Sequence, residues 1–280
     1  MATGRKIRLA RLINAHSRRS LLLPLDHGVT VGPIAGISDI QKVLGDIVSS
    51  GADVQGVILH RGVMTKSCSA DGRRLPAPLV LHLSASTTIG REPSNKVLVA
   101  QVEDALAMGA EAVSIHVNLG VLTEPKMLRD FGFIANQCER WGMPLLAMMY
   151  THDDPSTGMA TNRIKHSARL AAELGADLIK VAYPGSPDAM AEVVDGCFAP
   201  IVVAGGQLCS TETEILDLVA GALAGGAGGV CIGRNVFQHS DPRSLLKTLS
   251  DLVHGAESSQ RSNLVVVPPS INGRDNVLSF

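Results

Sequence analysis

Residues 175–185 read Gly-Ala-Asp-Leu-Ile-Lys-Val-Ala-Tyr-Pro-Gly, and this stretch holds both the repeating pattern of the chain and its main anomaly. The opening Gly-Ala-Asp is typical of a helix end and the turn that follows it. The apolar residues around Lys180 predict a buried strand. Because burying an ammonium costs several kcal/mol unless it is paired or neutral, either Lys180 reaches open water or the protein requires an unusual lysine there.

The same succession of helix end, turn and apolar run recurs along the chain. Glycines precede several of the apolar runs, in the segments 49–53, 107–111, 140–144 and 173–177. The predicted strands are Leu21–Leu25, Gly56–His60, Leu79–Leu83, Ala112–Val117, Pro144–Met149, Asp177–Val181, Pro200–Ala204 and Gly229–Ile232. Strands that alternate with helices are typical of βαβ units and a parallel sheet.

Length and strand count favour one α/β domain, a single (β/α)8 TIM barrel. A chain of 280 residues suffices for such a barrel, and no GxGxxG motif follows the first strand as it would in a dinucleotide-binding sheet. We expect a short N-terminal helical segment at 1–20, the barrel at 21–254 and a C-terminal tail at 255–280.

Composition argues against several classes of partner. The formal net charge is −1 and aromatic residues make up 3% of the chain, which disfavours nucleic-acid binding. No apolar run approaches the roughly 20 residues of a membrane helix. The five cysteines contain no CxxC pair, so we expect reduced thiols in a cytoplasmic protein and neither disulfides nor a zinc site.

Polar residues collect where the predicted strands end, which is the face that carries the active site in barrels of this class. In chain order they are Asp26, His27, His60, Arg61, His82, Ser84, His116, Asn118, Tyr150, Lys180, Gly205, Gly206, Gly233, Arg234 and Asn235. An inert barrel would not need so many polar groups at one rim.

Lys180 is the strongest catalytic candidate among these residues. The chain has eight lysines, and Lys180 alone ends an apolar strand run. Schiff-base formation needs a neutral amine, so we expect desolvation in the barrel to lower the pKa of Lys180 by around three units. The alternative is a lysine whose charge reaches solvent.

Proton transfer would accompany an imine, and two residues are suited to it. Tyr150 ends the fifth strand, beside the sixth, and its alternative role is a core tyrosine whose hydroxyl caps a loop. Asp26 ends the first strand, and its alternative role is an Asx turn. The histidines at the rim lack an HxxxH pair or an acidic cluster, so we predict no metal.

The last two strands predict an anion site. Glycines after strands seven and eight allow backbone N–H groups to point at phosphate, and Arg234 adds a forked donor. The pair Gly205–Gly206 alone also fits a simple tight turn.

Several segments together resemble the class I aldolases of the archaeal fructose-bisphosphate aldolase and DeoC-type group. They are LPLDHGVTVGPIAGI, LHLSAST, NKVLVAQVEDALAMGAEAVSIHVNLG, PLLAMMY, GADLIKVAYPG, IVVAGG and IGRNVFQ. Within this group the likeness is strongest to the enzymes that make amino-heptulosonates, and it covers residues 5 to 254.

The resemblance implies a catalytic set and a ligand set. It implies Lys180 as the Schiff-base lysine without any other cofactor, and Tyr150 and Asp26 as acid–base groups. His27, Gly205, Gly206, Gly233 and Arg234 are the expected phosphate-binding and substrate-binding residues, with His60, Ser84 and His116 as further substrate contacts.

The resemblance also implies a reaction and an assembly. Relatives join a three-carbon unit, from dihydroxyacetone phosphate or a ketose phosphate, to aspartate semialdehyde, and they form homo-oligomers up to decamers. The alternatives are fructose-bisphosphate cleavage and a barrel that binds a sugar phosphate without turnover.

Three departures from the resembling enzymes fall on the expected substrate face. Thr151-His152-Asp153-Asp154 stands where they have Pro-Arg-Gly, Gln207-Leu208 where they have proline and a basic residue, and Arg61 where they have lysine. The lysine chemistry is therefore expected to be intact, with altered substrate contacts.

Overall fold

The computed structural model describes residues 3–67, 77–152 and 160–255. Strands in this part of the chain are β1 (Ser20–Pro24), β2 (Gly56–Leu59), β3 (Leu79–His82), β4 (Ser84–Ala85), β5 (Val97–Leu98), β6 (Ala112–Leu119), β7 (Leu145–Thr151), β8 (Leu178–Val181), β9 (Ile201–Ala204) and β10 (Gly229–Cys231). Helices are α1 (Thr3–Arg11), α2 (His27–Val31), α3 (Ile40–Ser50), α4 (Arg61–Ser67), α5 (Val102–Ala107), α6 (Glu124–Trp141), α7 (Ala160–Glu173), α8 (Pro187–Asp195), α9 (Glu212–Ala224), α10 (Arg234–Phe237) and α11 (Pro242–His254).

Eight parallel strands close into a barrel in the order β1-β10-β9-β8-β7-β6-β3-β2. Helices lie between them, so the predicted (β/α)8 fold is confirmed, and every predicted strand overlaps an observed one. The short strands β4 and β5 form a separate antiparallel pair in the connection between β3 and α5. Because the barrel is parallel, the carboxyl ends of all eight strands lie at one rim.

Side chains alternate between the barrel interior and the surrounding helices, as the pleat of a strand requires. On β8, Leu178 packs in the interior cluster with Leu22, Ile58 and Val80, whereas its neighbour Ile179 packs against the helix layer. The period of two therefore turns the Lys180 side chain into the barrel.

The amino-terminal end of the barrel is closed by α1 and a buried ion pair. Arg5 Nε donates to Asp177 Oδ1 at 2.8 Å and to Oδ2 at 2.9 Å, and the same carboxylate accepts the Leu145 N–H at 2.8 Å. Arg5 also donates to the Gly175 carbonyl and pairs with Glu139. The N-terminal segment is thus fixed to the end of the barrel opposite the predicted site.

Two further predictions concern the remainder of the chain. The division into residues 1–20, 21–254 and 255–280 stays a prediction, and the tail from 256 lies outside the described residues. Cys138, Cys197, Cys209 and Cys231 are free thiols, and Cys68 lies outside the described part. Within the described ranges, the helices are too short or too polar to cross a bilayer.

Candidate active site

Lys180 lies near the carboxyl end of β8, with Met148 of β7 and Val202 of β9 as its neighbours in register. Its side chain is buried, with 6% of the residue exposed. The Tyr150 hydroxyl and the Cys231 sulfur are the side-chain groups beside its ammonium. The lysine therefore does not reach open water, and the solvated alternative is wrong.

The pKa of Lys180 differs from the sequence-based expectation. Burial lowers it, but Cys231, Tyr150 and Asp26 outweigh burial, and the net direction is upward. The expectation of a lowered pKa is therefore wrong, because the Asp26 carboxylate supplies counter-charge in the barrel interior. The resting lysine is an ammonium and must lose a proton before it can attack a carbonyl.

Asp26 supplies that counter-charge from the end of β1. Its carboxylate lies 3.7 Å from His82 Nε2 and 3.9 Å from His27 Nδ1. Burial raises the pKa of Asp26, but His82, His27 and Lys180 hold it well below the ordinary value. The residue precedes α2 but makes no side-chain cap bond to it, which disfavours the Asx-turn alternative.

The histidines around Asp26 all have lowered pKa values. Burial lowers the pKa of His82 to about 4 despite the opposing effect of Asp26, and its Nδ1 lies 2.8 Å from Ser114 Oγ. The His60 ring packs edge-on against His82 at 5.1 Å, and burial lowers the pKa of His60 as well. His27 Nδ1 is buried and makes no hydrogen bond to any described residue.

Tyr150 is held by a stacked histidine. The rings of His116 and Tyr150 lie 4.5 Å apart and 24° from parallel. His116 Nε2 and His152 Nε2 lie 3.0 Å and 2.9 Å from Asn118 Oδ1, so both donate to this one acceptor. The tyrosine hydroxyl lies beside the Lys180 ammonium.

The glycine loops after β9 and β10 are joined by side chains. Gly206 has a φ of +69°, a left-handed conformation that favours glycine. Asn235 donates to the carbonyls of Gly205 and Gln207 at 2.9 Å and 3.0 Å, and accepts the Cys209 N–H at 2.7 Å.

Arg234 and Gly233 complete this side of the rim. The exposed Arg234 donates to the Gly206 carbonyl at 3.0 Å. A Cβ on Gly233 would lie 2.5 Å from the Pro24 carbonyl and 2.8 Å from His27 Cε1, so only glycine fits beside the end of β1. The predicted anion-binding residues are therefore adjacent to Asp26 and His27.

Sequence reasoning missed Lys96, a second buried lysine at this rim. Residues 86–96 connect β4 to β5 and contact both sides of the barrel mouth: Thr88 N donates to the Thr30 carbonyl of α2, and Asn118 Nδ2 donates to the Ser94 carbonyl. Lys96 is 7% exposed, and its Nζ lies 3.5 Å from Thr30 Oγ1. It follows a loop, so no strand-end rule marks it.

Comparison with known proteins identifies the class to which this rim belongs. The sequence model of the DeoC/LacD family aldolases matches residues 20–239. The chain belongs to this family. A Streptomyces griseus protein named 2-amino-4,5-dihydroxy-6-oxo-7-(phosphonooxy)heptanoate synthase is 42% identical over 257 residues, which span 90% of this chain and 91% of the relative.

Other relatives agree with this assignment. A 2-amino-3,7-dideoxy-D-threo-hept-6-ulosonate synthase from Archaeoglobus fulgidus is 42% identical over 253 residues, covering 90% of this chain and 92% of the relative. The solved structure of an archaeal fructose 1,6-bisphosphate aldolase superimposes with a TM-score of 0.79 at 30% identity, covering 90% of this chain and 99% of that one. The chain is a class I aldolase.

A further neighbour bears on the lysine chemistry of this aldolase family. An archaeal fructose-1,6-bisphosphate aldolase whose catalytic lysine is covalently bound to the carbinolamine intermediate has a TM-score of 0.79 at 29% identity, over 90% of this chain and 100% of that one. Among the described residues, no group of three or more His, Cys, Asp or Glu side chains is arranged to hold a metal.

Two of the departures, Arg61 and the segment from Thr151, and the predicted substrate contact Ser84 differ in what the structure shows. The Arg61 guanidinium pairs with Asp104 in the first turn of α5 at 3.0 Å, and its assignment to the substrate face stays a prediction. Asp153 and Asp154 lie outside the described residues. The buried Ser84 accepts the backbone N–H of His116 at 3.1 Å and so supports that histidine; its predicted substrate contact stays a prediction.

Proposed function

We propose that this aldolase forms a Schiff base between Lys180 and a phosphorylated three-carbon donor, and joins that donor to L-aspartate 4-semialdehyde. One observation carries the proposal: the buried Lys180 ammonium lies beside the Tyr150 hydroxyl, and the Asp26 carboxylate raises its pKa. The neighbouring loops of the barrel rim are rich in glycine. An amine, a phenol and a carboxylate are the groups that imine and enamine chemistry requires.

The reaction begins with the loss of a proton from Lys180. The neutral amine attacks the donor ketone, and the new C–N bond yields an iminium when the former carbonyl oxygen leaves as water. Removal of a proton from the adjacent carbon gives an enamine, whose carbon forms a bond to the aldehyde carbon. The aldehyde oxygen takes a proton, and hydrolysis of the iminium releases the product and restores Lys180.

Tyr150 and Asp26 divide the proton work. The Tyr150 hydroxyl already meets the lysine nitrogen, so it is suited to protonate the departing oxygen. Asp26 stays ionised because its pKa is held low, so it is suited to stabilise the iminium charge and to accept the carbon-bound proton. His82 and His60, whose pKa values are lowered by burial, flank this half-buried carboxylate.

The donor phosphate is assigned to the loops after β9 and β10. Gly206 in its left-handed conformation exposes backbone donors, and the exposed Arg234 lies beside it. These loops flank β8 on one side, so a phosphate there leaves a three-carbon ketone within reach of Lys180. Dihydroxyacetone phosphate or a ketose phosphate can serve as the source of this unit.

The acceptor assignment draws on the relatives. Both amino-heptulosonate synthases named above are 42% identical over nine-tenths of this chain, and their products carry an amino acid group that a semialdehyde of aspartate would supply. Plain fructose-bisphosphate cleavage is the second candidate, which the archaeal aldolase structures favour at lower identity. A barrel that binds ligand without turnover gives no reason for the Lys180–Tyr150 contact.

Borohydride trapping tests the proposal. Incubation with dihydroxyacetone phosphate and borohydride should attach the donor to Lys180, because only an iminium is reduced to a stable secondary amine. Peptide mapping separates this adduct from one on Lys96, the other buried lysine of the rim. No adduct, or an adduct only on Lys96, would overturn the mechanism.

The acceptor is tested separately by product analysis. The enzyme is supplied with one donor and either aspartate semialdehyde or glyceraldehyde 3-phosphate. A new seven-carbon amino acid from the first aldehyde supports the synthase assignment. Exclusive formation of fructose 1,6-bisphosphate from the second would replace it with the fructose-bisphosphate aldolase assignment.

A further inference from the structure

Lys96 is a buried cation whose hydrogen-bonding capacity is almost unused. Its only hydrogen bond to the described residues is the 3.5 Å contact with Thr30 Oγ1, which is at the outer limit for such a bond. No carboxylate of the described residues forms an ion pair with it. An ammonium in this state costs several kcal/mol relative to water, so a ligand that supplies an anion would relieve the cost.

The rim carries more positive than negative charge around Lys96 and Lys180, which favours an anion there. The negative charge of Asp26 raises the pKa of Lys96, and the same carboxylate raises the pKa of Lys180. One negative charge therefore serves two ammonium groups, while the adjacent His82 is neutral with its pKa lowered to about 4. Burial lowers the pKa of Lys96, and a bound anion would raise it again.

Lys96 reaches across the barrel mouth, from the excursion that follows β3 to Thr30 of α2. Lys96 belongs to the excursion that follows β3, and β3 lies four places from β9 in the closed ring of eight strands. The loop is fixed across the mouth by the contacts of Thr88 with Thr30 and of Ser94 with Asn118. The ammonium of Lys96 lies in electrostatic range of Asp26 and of the rim histidines His82 and His116, so it shares the mouth with the groups that surround Lys180.

We propose that Lys96 Nζ, together with Thr30 Oγ1, binds the carboxylate of the acceptor aldehyde. The inference rests on the aldol function proposed above. A single ammonium neutralises a monoanion, and the neighbouring hydroxyl supplies the donor for the second carboxylate oxygen. The aldehyde carbon then faces the enamine on Lys180. A phosphate-bearing aldehyde offers related chemistry, and the experiment distinguishes the two.

The test compares three aldehydes with Lys96→Met. The KM for L-aspartate 4-semialdehyde should rise roughly 10- to 100-fold, the usual effect of losing a hydrogen bond to a charged group. With the uncharged propionaldehyde, kcat/KM should fall far less than with the semialdehyde. Lys96→Arg should recover part of the affinity. Lys42→Met removes an exposed lysine of α3 and should change none of these values.

Donor trapping separates this inference from the proposed function. Lys96→Met should form the borohydride adduct at Lys180 as the wild type does. Reduced trapping, or an equal loss with all aldehydes, would mean that Lys96 supports Asp26 or the loop instead. A KM increase confined to glyceraldehyde 3-phosphate would overturn the carboxylate assignment in favour of phosphate.

If the wild type forms no adduct, the binding of an unreactive acceptor analogue still tests the inference. L-homoserine keeps the carboxylate and amine of the acceptor but carries an alcohol in place of the aldehyde. Its affinity, measured by calorimetric titration, should fall by the same factor in Lys96→Met. Unchanged affinity would overturn the role of Lys96.

Discussion

The two ends of the barrel bury charge in different ways. At the amino-terminal end, Arg5 and Asp177 form two hydrogen bonds with each other, and both bind backbone groups as well. At the carboxyl end, Asp26 approaches its histidine neighbours only to 3.7 Å and 3.9 Å, and Lys96 has one long contact. Arg5, Asp177 and Lys96 are equally buried, but the first two have satisfied hydrogen bonds and Lys96 does not.

This contrast indicates that the charged groups at the amino-terminal end stabilise the fold, whereas those at the carboxyl end serve the reaction. A fully satisfied pair such as Arg5–Asp177 has no capacity left for a ligand, and breaking it leaves an uncompensated charge. The groups around Lys180 keep capacity for a substrate and are arranged for proton transfer. Substitutions at the carboxyl end should therefore remove activity while the fold remains, and substitutions at the amino end should do the reverse.

The largest effect should come from Lys180→Arg. A guanidinium keeps the positive charge but does not lose its proton to form an imine, so turnover should be abolished. The melting temperature should stay close to that of the wild type, because the cation beside Asp26 is retained. Steady-state assays and thermal melts check both statements. Measurable turnover in this variant would exclude Lys180 as the nucleophile.

Tyr150→Phe should have the next largest effect. Loss of the hydroxyl should slow turnover by roughly 10²–10⁴, the span for a lost general acid or base, while donor trapping at Lys180 persists. The only other tyrosine gives a matched control, Tyr183→Phe, because the Tyr183 hydroxyl lies beside Gly221 of α9. Normal turnover in Tyr150→Phe would leave proton transfer to Asp26 alone.

Arg5→Met probes the opposite end. The buried Asp177 carboxylate loses its partner, so the free energy of unfolding should fall by about 3–5 kcal/mol. Arg11→Met removes an exposed ion pair with Glu111 and should cost about 1 kcal/mol or less. Urea denaturation measures both. If Arg5→Met lowers kcat in the folded enzyme but not its stability, the contrast between the ends is wrong.

Arg234→Ala should weaken phosphate binding by about tenfold, since Arg234 is exposed and water partly replaces it. Gln207→Lys should strengthen binding, because it adds an ammonium beside the same loop. Calorimetric titration with dihydroxyacetone phosphate and with dihydroxyacetone measures the phosphate contribution. Equal affinity for the two ligands in the wild type would remove the phosphate assignment.

The smallest effect concerns the pKa of Lys180. Asp26 stabilises the ammonium, so Asp26→Asn should lower this pKa and shift the reactivity of the amine to lower pH. The pH dependence of reductive methylation at Lys180 reports the shift. Asp195→Asn, an exposed position at the end of α8, should leave the profile unchanged. An upward shift in Asp26→Asn would contradict the assigned electrostatics.

Sequence patterns predict the barrel and the rim residues that lie at strand ends, but not the rim residues that lie in loops. Strand periodicity fixes which residues face inward, so Lys180, Tyr150 and Asp26 can be placed from the apolar runs alone. The pKa of Lys180 depends on neighbours from three other strands, which a single strand does not reveal. Lys96 escaped prediction because its burial depends on how residues 86–96 fold back over the mouth.

Asn235 has a consequence for redesign of donor specificity. Its amide sits in the segment after β10 but bonds to Gly205, Gln207 and Cys209 after β9. The two segments are therefore a single module for engineering. A loop grafted from a relative at 205–209 should fail unless residues 233–235 are exchanged with it, since the incoming backbone would meet an amide positioned for different carbonyls.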